Sequence, residues 1–123
     1  MAIFAFARGP LLLSAGDGLV RRAVAAAGGT PILAENQLTE QVALAGGRIW
    51  IGNPIDAFAR ADQRLYFDWV EGLPAGDAAL AHAPRAVLAV LGSPADRRLA
   101  AAPGFRRLGA DRRAVLYIRT SRA

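Results

Sequence analysis

Apolar runs bounded by turn-forming residues alternate along this chain with segments of helical period, the βαβ rhythm of an α/β sheet. From Asp17 to Ala27 the residues Leu19, Val20, Val24 and Ala27 share one stripe while Arg21 and Arg22 lie off it. That spacing predicts an amphipathic helix, closed by Gly28–Gly29. Pro31 to Glu35 reads as a short buried strand, Leu38 to Ala45 as a helix ending at Gly46–Gly47, and Arg48 to Gly52 as the next strand. A helix follows over about Asp62 to Glu71, where Leu65, Trp69 and either Tyr66 or Val70 recur at helical spacing. Asp77 to His82 reads as a short helix before Pro84. The run Ala86 to Leu91 is continuous and apolar between Pro84 and Gly92, which predicts a strand covered on both faces. Ser93 to Ala102 then predicts a helix stopped by Pro103–Gly104, and Phe105 to Leu108 with Ala114 to Arg119 predicts an antiparallel hairpin around Gly109–Ala110–Asp111. Ile3 to Ala7 reads as a first strand. The expected fold is a single three-layer α/β domain over residues 1 to 123, with a mainly parallel central sheet, helices on both faces and a C-terminal antiparallel hairpin.

Composition narrows the chemistry. The chain has 123 residues, 54% hydrophobic and 20% charged, enough apolar material for one core and too little length for two. Cysteine is absent, which excludes disulfides, thiolate metal sites, a cysteine nucleophile and iron–sulfur clusters. A single histidine, His82, excludes a two-histidine metal centre. No metal is expected on those grounds, and no cofactor is expected either, since no GxGxxG or GxxxxGK[ST] loop follows any strand. The apolar stretch Met1 to Leu13 is interrupted by Arg8, Gly9 and Pro10 and is too short to span a bilayer.

Charge is unevenly placed. Residues 1 to 80 carry six Arg against eight acids, whereas residues 81 to 123 carry nine Arg against two. An arginine-rich C-terminal part suits nucleic acid, anionic lipid or an acidic partner. The arginines come as the pairs Arg97–Arg98, Arg106–Arg107 and Arg112–Arg113, with no aromatic RNA-binding motif and no helix-turn-helix pattern, so nucleic acid is the weaker expectation and a solvated or membrane-facing surface the stronger.

Two strand-to-helix junctions share a pattern: Asn53–Pro54–Ile55–Asp56 and Ser93–Pro94–Ala95–Asp96 each offer an N-cap acceptor, a proline at the first helical position and a carboxylate two residues later. Helix capping explains both. A second role is also open to them, because ligands of open α/β sheets sit outside the carboxyl ends of the parallel strands. Glu35, Asn36, Asn53, Asp56, Gly92 and Ser93 all fall at such ends, forming a candidate ligand-binding rim whose mixed polarity suits a sugar hydroxyl or an amide better than a bare phosphate. Asp68 and Glu71 beside Arg64 read as a solvated, ion-paired helix face rather than a catalytic carboxylate pair. His82, with no Ser or Asp at a telling spacing, reads as a surface or capping histidine. Trp50, Phe58, Tyr66, Phe67 and Trp69 are expected to seal the sheet against the helix that follows it, with a sugar-stacking platform as the alternative.

Four short signatures carry a family likeness: Ala34–Glu35 at a strand end, Gly47–Arg48–Ile49 opening a strand, Pro103–Gly104–Phe105 before the hairpin, and Tyr117–Ile118–Arg119 closing it. With them, about residues 10 to 120 resemble the C-terminal soluble domain of multi-spanning bacterial membrane proteins of the GT-C glycosyltransferase type. The resemblance implies an accessory domain on the extracytoplasmic face of the cytoplasmic membrane, attached to a membrane-spanning region that holds the catalytic carboxylate and the polyprenyl-phosphate sugar donor. A glycan, a cell-wall polymer or a partner protein is then the implied ligand. The sequence therefore favours a noncatalytic recognition domain. The alternatives are a small stand-alone enzyme using the rim, with Asp56 or Glu35 as acid or base, and a basic nucleic-acid-binding domain.

Overall fold

The computed structural model describes residues 17–52 and 55–120. The strand expected over Ile3 to Ala7 and the rim residue Asn53 lie outside them. In chain order the described elements are α1 (Asp17–Ala27), β1 (Pro31–Ala34), α2 (Asn36–Leu44), β2 (Arg48–Ile49), a 3-10 turn (Ile55–Ala57), α3 (Arg60–Val70), a 3-10 helix (Pro74–His82), β3 (Ala86–Val90), α4 (Pro94–Ala100), β4 (Phe105–Ala110) and β5 (Ala114–Arg119). α1 ends where expected, with Gly28 and Gly29 at φ of 57° and 88°, a left-handed conformation that a side chain would strain.

The five strands form one sheet in the order β2-β1-β3-β5-β4. β1 pairs parallel with both β2 and β3, while β5 pairs antiparallel with β3 and with β4. The sheet is thus parallel at its centre, with an antiparallel hairpin completing it. Because successive strand residues point to opposite faces, each strand supplies two cores. Ile32 and Ala34, Ala86 and Leu88, and Ala114 and Leu116 meet Leu19, Val20 and Ala23 of α1 and Leu38 and Val42 of α2 on one face. Leu33, Val87, Ala89, Val115 and Tyr117 meet Tyr66 and Trp69 of α3, Ala79 of the 3-10 helix, and Ala95 and Leu99 of α4 on the other. The three expected layers are present.

The chain moves from β1 outward to β2 through α2 on one face, then returns past β1 to β3 through α3 on the opposite face. Right-handed crossovers demand this change of side. It leaves a crevice between the carboxyl ends of β1 and β3, the place where open α/β sheets reverse their strand order.

Three expectations need correction. β2 is two residues long rather than five, although the Trp50 amide still donates to the Ile32 carbonyl at 3.1 Å. Beyond that bond the chain leaves the sheet, burying Ile51 in the second core and stacking Trp50 on His82, ring centroids 4.1 Å apart. The Asn53–Asp56 junction is not followed directly by an α-helix: the Phe58 amide closes a single 3-10 turn onto the Ile55 carbonyl at 3.1 Å, Ala59 is extended, and α3 begins only at Arg60. Phe67 is 42% exposed, so of the aromatic group it is Tyr66 and Trp69 that α3 buries, with Trp50 and Phe58 packed at their margin.

Candidate functional site

At the strand-reversal crevice the residues that leave β1 and β3 are tied to each other. Glu35 follows β1 and occupies the N-cap position of α2 with extended backbone, yet its side chain caps nothing in that helix. The carboxylate crosses to the end of β3 instead: Oε2 accepts the Val90 amide at 2.7 Å and the Ser93 hydroxyl at 2.6 Å. The Glu35 amide meanwhile donates to the Leu88 carbonyl at 3.1 Å, extending the β1–β3 ladder by one bond. Glu35 is buried at 5% exposure, a depth at which a carboxylate needs hydrogen-bond donors.

Ser93 has a second bond. It is the N-cap of α4, and its Oγ accepts the Asp96 amide at 3.1 Å, as the Ser-Pro-Ala-Asp spacing leads one to expect. Asp96 is also buried and is satisfied on both oxygens: Oδ2 accepts the Gly92 amide at 2.8 Å and Oδ1 accepts the Tyr117 hydroxyl at 2.8 Å. A continuous chain of hydrogen bonds therefore links Glu35, Ser93, Asp96 and Tyr117, joining β1, β3, α4 and β5. Alongside it, the Tyr66 hydroxyl donates to the Ala34 carbonyl at 2.7 Å, and an Arg97 guanidinium N–H donates to the Gly92 carbonyl at 2.7 Å.

The rim residues read from the sequence separate in this geometry. Glu35 and Ser93 come together. Asn36, the first residue of α2, is exposed beside them, and Asp56 is exposed on the 3-10 turn after β2. Tyr117 was not among the rim residues read from the sequence; the available signal was its alternation in β5, which points it to the same face as α4. An open cleft of about 740 Å³ adjoins the crevice between α3, the 3-10 helix and α4, lined by Glu71, Asp77, Pro94, Arg97 and Arg98 among others. Its charges also meet one another, since Arg98 forms a two-pronged ion pair with Asp77 at 2.8 and 2.9 Å. Among the described residues no group of three or more His, Asp or Glu is placed to hold a metal ion.

Both tyrosines of the chain belong to this region, and both hold their protons tightly. Burial, followed by the neighbouring Glu35 charge, raises Tyr66 well above the ordinary phenol value. Burial, then the hydrogen bond to Asp96, pushes Tyr117 up to about 12. The fold therefore prefers each neutral phenol, and the stability this brings is complete below pH ~10 and is lost as the pH rises toward and past 12. Absorbance at 295 nm should accordingly show no tyrosinate near pH 10 and a late rise that coincides with unfolding. Titration of either phenol at its ordinary value would contradict the network.

No protein-family model matches this sequence, and neither a curated protein nor a solved structure is significantly similar to it.

Proposed function

We propose that this domain is a noncatalytic recognition module, carried on the extracytoplasmic face of a bacterial cytoplasmic membrane by a protein of the GT-C glycosyltransferase type, where it binds a glycan or a partner protein. The observation that carries the noncatalytic reading is the hydrogen-bond network at the crevice. A general acid or base must reach a substrate proton, but Glu35 is buried and its Oε2 accepts from both Val90 and Ser93, while both oxygens of Asp96 accept, from Gly92 and Tyr117. A serine nucleophile needs a strong neighbouring base. Ser93 faces a carboxylate, while His82 is stacked on Trp50 in another part of the fold. The polar groups that would serve chemistry in such a crevice thus serve the fold. The extracytoplasmic placement and the membrane-spanning parent rest on the sequence resemblance. No helix among the described residues is long and apolar enough to cross a membrane.

Spheroplasts carrying the natural gene product test both parts of this reading. Protease added outside should cut the domain before lysis; protection until lysis contradicts the placement. In the same membranes Ser93→Ala should lower sugar transfer only as far as it lowers the amount of folded protein. A loss of about a hundredfold or more per folded copy would make Ser93 a reacting group.

A further inference from the structure

We propose that the outer edge of β4 docks an acidic, extended segment of a partner protein, which adds to the sheet as a further strand. The inference rests on the reading of this domain as a binding module and assigns it a surface and a partner chemistry.

The two sheet edges differ. β2 ends one side with two residues, whereas β4 ends the other with six, Phe105–Ala110. Among the described residues no strand lies beyond β4, so one side of its backbone is available to pair. The register shift between Arg107 and Gly109 twists the strand, and the Leu108 carbonyl is engaged by an Arg22 N–H at 3.4 Å. Flat pairing is therefore concentrated on Phe105–Arg107.

Those residues carry the charge. Arg106 stands opposite Ile118 and Arg107 opposite Tyr117, so the two exposed guanidinium groups project from opposite faces of the sheet. A strand laid beside β4 would bring its own side chains next to both, and neighbouring acidic residues would each meet an arginine. Among the described residues neither Arg106 nor Arg107 is ion-paired. Arg112 and Arg113, in the hairpin turn, are exposed as well. The one carboxylate of the hairpin, Asp111, turns its Oδ1 to the Arg113 and Ala114 amides at 2.8 Å. The edge thus carries net positive charge.

The same features disfavour other occupants. Two copies of β4 paired edge to edge would set arginine beside arginine, and like charges directly opposite destabilise a sheet. Single-stranded nucleic acid is held by stacking on open aromatic faces, but Phe105 already lies under the Arg119 guanidinium, 4.6 Å from its ring centroid.

Selection from a library of randomised eight-residue peptides against the immobilised protein, at an ionic strength of about 0.15 M, tests the proposal. Enriched peptides should lack proline and carry Asp or Glu between β-branched residues. A synthesised winner should perturb the amide resonances of Phe105–Ala110. Its binding should fall about tenfold or more on main-chain N-methylation and in Arg106→Glu/Arg107→Glu, whose melting curve should match the parent's. That variant should select basic peptides instead. The proposal is overturned if enrichment is absent or is neutral or basic for the parent protein, if N-methylation has no effect, or if an oligonucleotide binds this edge where the peptide does not. None of these outcomes alters the protease result in spheroplasts, so the two proposals fail separately.

Discussion

Glu35→Ala is expected to destabilise the fold by about 3 kcal/mol, lowering Tm by roughly 12 °C. The substitution removes one oxygen, Oε2, that accepts both the Val90 amide and the Ser93 hydroxyl. Hydrogen bonds to a charged group are worth more than neutral ones, and the donors left behind sit where water replaces the lost acceptor poorly. Glu35→Gln keeps an acceptor oxygen at the same reach and should cost distinctly less. Chemical denaturation of the parent and the two variants checks the order; a Glu35→Ala protein as stable as the parent would mean that the carboxylate does not hold β1 to the end of β3.

Gly76→Ala should be at least as damaging, about 3 kcal/mol or more, for an unrelated reason. Gly76 is buried in the 3-10 helix where it crosses α3, and an added Cβ would collide with the backbone of Asp68 and Trp69. No side-chain rotation relieves a clash with main chain, so α3 and the 3-10 helix must separate and loosen the Tyr66–Trp69 core. Gly18→Ala provides the control. Gly18 is exposed in α1 with nothing within 4 Å of the new methyl group, and this substitution should stabilise by about 0.5 kcal/mol. Equal effects of the two substitutions on thermal unfolding would refute the close approach at Gly76.

Where local signals and packing agree, the fold was legible along the chain. The stripe from Leu19 to Ala27 followed by Gly28–Gly29 marks α1 to the residue, and the uninterrupted run Ala86 to Leu91 marks the central strand, which ends one residue earlier at Val90. The hairpin is likewise present, but its turn falls at Asp111–Arg113 rather than at Gly109–Asp111, since Gly109 and Ala110 pair as part of β4. Legibility failed where a tertiary neighbour decides the outcome. Trp50 and Ile51 have strand composition, but an edge strand has only one neighbour to hold it, and the second core draws them away. The residues Asn53–Pro54–Ile55–Asp56 and Ser93–Pro94–Ala95–Asp96 look alike, yet Ser93 caps α4 while the first leads only into a 3-10 turn, with Ile55 and Phe58 packed on the core before α3 starts.

The site was half visible. Placing Glu35 and Ser93 on a common margin needed only the rule that parallel strands share a carboxyl edge. Their mutual hydrogen bond spans 58 residues of sequence, and no local pattern carries it. The tyrosine partners were hidden for the same reason: Tyr117 reaches Asp96 only after β5 has paired with β3 and α4 has folded over that face.

The most direct measurement is a double-mutant cycle on Glu35→Ala and Ser93→Ala, read by denaturant unfolding. If the crevice is closed by these groups acting on each other, the double variant should be less destabilised than the sum of the singles by about 1.5 kcal/mol. Additivity to within about 0.3 kcal/mol would mean that carboxylate and hydroxyl act independently, leaving both groups open to a ligand.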